Sequence, residues 1–116
     1  MGKVTLHTGQ LVDSDSEAWR AECEARTILA MPFHKRAEFF QLVEQRRGED
    51  ATGQIKRLCF EIEPSFVLGM PNRAQRNDYL TKVEQRFGPN ASDTLRAKVL
   101  ALHAERQAAA QPVAAE

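Results

Sequence analysis

Val43-Glu44-Gln45-Arg46-Arg47-Gly48 and, forty residues on, Val83-Glu84-Gln85-Arg86-Phe87-Gly88 are the same hexapeptide in all but one position. Extended without gaps, residues 36–60 against 76–100 agree at seven of 25 positions, including Arg36/Arg76, Gly48/Gly88 and Ala51/Ala91, too many for unrelated segments. Upstream, Ile28-Leu29-Ala30-Met31-Pro32 answers to Val67-Leu68-Gly69-Met70-Pro71 at an offset of 39. A period near 40 residues is that of a helix–turn–helix unit. The chain therefore reads as all-α, about five helices forming two tandem helical-hairpin repeats that share one core.

Local signals place the helices. Ser14 and Glu17 have the spacing of a capping box, starting the first helix near residue 15 and carrying it to about 30. Pro32 ends that helix and opens the next, over about 33–47, with Phe33, Ala37, Phe40 and Val43 on one side. Gly48 is a C-terminal stop, and Asp50 is a cap for a third helix carrying Ile55, Leu58, Cys59 and Ile62, kinked at Pro64. Asn72 with Gln75 caps a fourth over 73–87, and Asn90 with Asp93 a fifth over 91–107. Paired apolar positions predict the core, from Ile28/Val67 and Val43/Val83 to Cys59/Val99 and Phe60/Leu100, with Trp19 anchoring the first helix. Residues 1–13 read as an N-terminal arm, extended rather than a hairpin. Residues 14–107 read as a single helical domain, with repeat one about 28–63 and repeat two about 67–106. Residues 108–116 read as a flexible tail.

The composition narrows the function. Sixteen basic side chains meet sixteen acidic ones, and residues 1–48, 49–87 and 88–116 each balance separately. Neutrality counts against a general polyanion binder and against a polybasic membrane peptide. No run reaches the roughly 18 apolar residues that cross a bilayer, and no signal peptide is legible, so a cytoplasmic protein with two free thiols is expected. Cys23, Cys59 and the three histidines lack metal-ligand spacing, and both thiols fall on apolar stripes, so no metal or cofactor is expected. Glu22/Glu24 and Glu61/Glu63 are two residues apart on helices and point to different sides. No nucleophile–base set and no glycine-rich loop is present, and the chain reads as non-enzymatic.

The arginines carry what chemistry remains. Arg36 and Arg76 are equivalent, as are Arg46 and Arg86, with Arg47 and Arg73 adjacent to them. Repetition would gather guanidinium groups on a surface suited to phosphate or carboxylate. The competing reading is local pairing, in which they cover helix-end carbonyls and aromatic rings. A DNA-reading helix–turn–helix is weakened by Glu49, Asp50 and Asp93, which put negative charge at the starts of the third and fifth helices.

Residues 14–26, Ser-Asp-Ser-Glu-Ala-Trp-Arg-Ala-Glu-Cys-Glu-Ala-Arg, followed by Leu29-Ala30-Met31-Pro32 and Val43-Glu44-Gln45-Arg46-Arg47-Gly48, resemble short uncharacterised proteins of proteobacterial temperate phages and prophages. The resemblance covers about residues 14–60 and implies a small helical cytosolic phage protein. It brings no established activity. The second repeat departs from it at Phe87, where the pattern has arginine. The expected function is a phage-type non-catalytic protein-binding module acting on a host protein, such as a defence component in the manner of an anti-CRISPR or a nucleic-acid-processing component. The alternative is a nucleic-acid-binding accessory or regulatory protein using the repeated arginines. A homodimer is compatible with either.

Overall fold

The computed structural model describes residues 2–110. Strands β1 (Lys3–Thr5) and β2 (Leu11–Asp13) precede helices α1 (Glu17–Leu29), α2 (Phe33–Leu68), α3 (Arg73–Phe87) and α4 (Pro89–Ala110). The chain divides into two compact units, 1–63 and 64–116, and the division falls at Pro64 inside α2.

In the first unit the expected extended arm is instead an antiparallel hairpin, pairing Lys3 with Asp13, Val4 with Val12 and Thr5 with Leu11. An isolated hairpin is marginal, but this one is not isolated. β2 lies against α1, and His7 in the turn bonds the α1 side chain Glu22. The turn itself closes through Gly9 N–H to the Leu6 carbonyl at 2.9 Å. The hairpin also takes Ser14 out of the helix start, because the Ser14 N–H donates to the Gly2 carbonyl. The cap falls two residues later, where Ser16 Oγ accepts from the Trp19 N–H at 3.2 Å. The Ser14/Glu17 box is not made.

α2 spans Phe33–Leu68, but its backbone is non-helical at Gly48, whose φ is 89° and ψ 174°, so the helical run is interrupted at the glycine where the sequence places a stop. Asp50 is exposed and does not act as the expected cap. Thr52, buried beyond the break, donates its hydroxyl to the Gly48 carbonyl at 2.9 Å. Ala25, Ile28, Leu29, Val43, Cys59 and Ile62 are buried in this unit, and Trp19 is half-buried.

The second unit is built on the α3–α4 pair. Asn72 caps α3 as the sequence indicates, its Oδ1 accepting from the Gln75 N–H at 2.9 Å. Asn90 does not cap α4; Pro89 occupies the first helical position, where its missing N–H and fixed φ suit a helix start. Ser92 is buried and donates to the Leu80 carbonyl, stitching α4 to α3. Val67, Tyr79, Leu80, Val83, Leu95 and Val99 are buried here. Phe60 and Leu100, expected in the core, are 61% and 62% exposed; one residue past the buried Cys59 and Val99, the helix has turned about 100° away from the core stripe. α4 runs on through residue 110, so 108–110 are helical, and the rest of the expected tail lies outside the described residues.

Gly88 repeats the backbone of Gly48, with φ 97° and ψ 167°, a region open essentially to glycine alone. Space is not the constraint, since a Cβ at Gly88 would meet nothing within 4 Å. Gly88→Ala is therefore expected to cost about 1–3 kcal/mol through the backbone alone, read as a lower urea midpoint of the full chain.

Candidate functional site

Cut at Pro64, the charge is no longer balanced. Residues 1–63 hold nine basic and eleven acidic side chains, and residues 64–116 hold seven and five. The separate balance of 1–48, 49–87 and 88–116 hid this, because those cuts cross the structural boundary. Within the second unit the cations are also sorted. A groove of about 700 Å³ has Val67, Leu68, Leu80, Val99 and Leu100 as its apolar surface, and Arg73, Arg76, Arg96, His103 and Arg106 around it, with Asn77. No carboxylate lines it.

Helical periodicity assembles these walls. Arg73, Arg76 and Leu80 lie at i, i+3 and i+7 on α3, and Arg96, Val99, Leu100, His103 and Arg106 follow one face of α4. Arg73, Arg96, His103 and Arg106 are exposed and Arg76 is half-buried. Arg76 donates to the Met70 carbonyl at 3.2 Å, and Arg106 to the Ser65 hydroxyl at 3.1 Å. None of the four arginines forms an ion pair among the described residues, and the Lys82–Asp78 contact at 2.9 Å lies outside the groove. Four guanidinium groups thus border a groove that no carboxylate lines.

Of the six arginines singled out by sequence, the structure brings only Arg73 and Arg76 into this groove. Arg36 instead covers the end of α1. It donates to the Leu29 carbonyl at 2.7 Å and the Met31 carbonyl at 3.4 Å, lies 4.3 Å from the Phe33 ring centroid, and stands 3.8 Å from Glu63. Arg47 forms a two-pronged pair with Glu24, at 3.1 and 2.8 Å. Arg46 is exposed, and Arg86 sits 6.0 Å from the Phe87 ring centroid, outside the groove. Local pairing therefore accounts for Arg36 and Arg47. Arg96, His103 and Arg106 were missed, although their spacing at i, i+7 and i+10 around Val99 and Leu100 is visible in the sequence.

The first unit holds a second polar cluster. Glu22 is 2% exposed. It accepts from the His7 backbone N–H at 2.6 Å and from Arg26 Nε at 3.2 Å, and lies 2.9 Å from His7 Nδ1. Burial would raise its pKa, but the bonds from His7 and Arg26 outweigh burial and hold the carboxyl below its ordinary value. No nucleophile stands beside this dyad in these contacts, and among the described residues no group of three His, Cys, Asp or Glu side chains is placed to hold a metal. Cys59 is buried, and burial pushes its thiol up to about 11. Cys23, expected on an apolar stripe, is exposed. Among the described residues no helix is long and apolar enough to cross a membrane.

One family model, described as a family of unknown function, matches the chain twice, over residues 12–65 and 56–106. No curated protein and no solved structure matches.

Proposed function

The chain belongs to that family, DUF7696, and since the family brings no activity with it, we propose from the groove of the second unit that the protein is a non-catalytic binding module for an anionic region of a partner protein. The observation that carries this reading is the set of four arginines, none in an ion pair among the described residues, around an apolar floor that no carboxylate lines. Protein is favoured over nucleic acid because the groove's floor is leucine and valine and its lining holds no Phe, Tyr or Trp; a partner's apolar side chains would be buried on that floor, whereas a sugar–phosphate chain held by the arginines would leave it uncovered. The narrower roles in phage biology and host defence rest on the sequence resemblance alone.

The proposal includes a duplicated helical hairpin, supported by the double family match and by a shared contact. Arg36 and Arg76 are each the fourth residue of the helix following a Met-Pro pair, and each donates to the carbonyl of that methionine. The two copies differ where it matters. In the forty-residue register, Glu63 beside Arg36 corresponds to His103 in the groove with Arg76. The first copy supplies its own carboxylate; the second leaves that position for another molecule.

Amide chemical-shift mapping tests this. Adding polyglutamate to the labelled full chain at about 50 mM salt is expected to shift Arg73, Arg76, Arg96, His103 and Arg106 and to leave residues 17–29 unmoved, with the shifts fading as salt is raised. Shifts confined to the first unit, or none, would overturn the reading.

A further inference from the structure

We infer that the groove takes an amphipathic helix whose apolar stripe is flanked by carboxylates, contributed by the partner protein. The inference rests on the binding-module reading above and narrows it from an anionic region to one local structure.

The pattern of the groove dictates the pattern of its occupant. Along α4 the wall residues run from Arg96 to Arg106, ten residues and so about 15 Å of helix. Val99 and Leu100 lie between the cations at its two ends, and across the groove Leu80 lies on α3 with Arg76 and Arg73 one and two turns before it. The surface is an apolar strip with positive charge on both walls. Its complement is a rod of similar length with an apolar stripe and negative flanks, which an α-helix provides with leucines at i, i+3, i+4 and i+7 and glutamates on either side.

Two further observations favour a helix over a small anion. A single phosphate or carboxylate group is met by one or two guanidiniums, whereas the cations here are strung along two helices. Leu100, on the apolar surface, is 62% exposed. A small apolar ligand would leave that side chain wet, while a helix about 10 Å across laid on the α3–α4 seam would cover it. A third helix against a two-helix pair also buries apolar surface along its whole length, which a single extended strand does only at alternate residues.

The experiment uses the full chain and a fluorescent helical peptide of about 18 residues carrying that leucine–glutamate pattern. Its controls are a scrambled peptide of the same composition, polyglutamate, and a single-stranded oligonucleotide. At about 50 mM salt the patterned peptide is expected to bind at least about tenfold more tightly than the scramble. The double variant Arg96→Glu/Arg106→Glu is expected to lose about tenfold or more, while Arg57→Glu, an exposed substitution in the first unit, changes nothing. Circular dichroism of each variant confirms that the helices persist. Equal binding of patterned and scrambled peptides, both weakened by the double variant, would overturn the helical occupant and leave the anionic groove standing. Tighter binding of the oligonucleotide than of any peptide would overturn both in favour of nucleic acid, and no saturable binding of any anion would overturn both outright.

Discussion

Glu22→Ala is expected to destabilise the first unit by about 3 kcal/mol, more than any exposed carboxylate of the chain. The side chain is 2% exposed, so its two oxygens meet protein rather than water. Removing them leaves the His7 N–H without its acceptor at 2.6 Å and Arg26 without its partner at 3.2 Å. An orphaned buried donor forfeits its full desolvation. Glu24→Ala removes a carboxylate two residues away, but one paired with a half-exposed Arg47, and is expected to cost under about 1 kcal/mol. Trp19, the chain's one tryptophan and itself in α1, reports the unfolding by fluorescence. The pH dependence has a definite sign. Glu22 titrates below its ordinary value of 4.5 when folded, so its charge-dependent contribution is complete above pH 4.5 and is lost as pH falls through the lower folded value. Glu22→Gln keeps an acceptor but no charge. The gap between wild type and Glu22→Gln should therefore be constant at neutral pH and narrow below pH 4.5. A gap that widened in acid would refute this assignment.

Arg36→Ala carries the next largest effect, about 2–3 kcal/mol. Its side chain is 14% exposed and serves two helix-end carbonyls, a ring face and Glu63 together. Arg36→Lys should recover only part of the loss, since an ammonium cannot match a planar fork that spans two acceptors and lies over a ring. Arg76→Ala removes one carbonyl bond at 3.2 Å and is expected to cost about 1 kcal/mol. Chemical denaturation of the three variants measures the order; Arg76→Ala costing more than Arg36→Ala would contradict it.

The sequence made the helices legible because Pro32, Gly48, Asn72 and Gly88 act locally, through φ, a missing N–H or a side chain bonding the next turn. Placement errors arose where a distant partner intervened. Ser14 lost its cap to the β-hairpin, and the hairpin itself depends on His7 meeting Glu22 fifteen residues away. Glu22 and Glu24 looked alike in sequence, as neighbours on a charged helix; only tertiary packing buries one and pairs the other with Arg47. The groove was half legible. Arg73 and Arg76 followed from the repeat and its cap, but forty residues before Arg96, His103 and Arg106 stand Lys56, Glu63 and Phe66, so the repeat alone does not mark these three as one cluster.

The two cysteines give the molecule an internal stopwatch. Cys23 is exposed on α1 and open to alkylation, while Cys59 is buried with its thiol raised to about 11, its Sγ 3.9 Å from the Ala25 carbonyl. Alkylation needs the thiolate and access to it, so Cys59 is reached chiefly through openings of the first unit. The ratio of the two reaction rates, read by mass on one sample, measures how often that unit opens, with Cys23 as the reference inside every molecule.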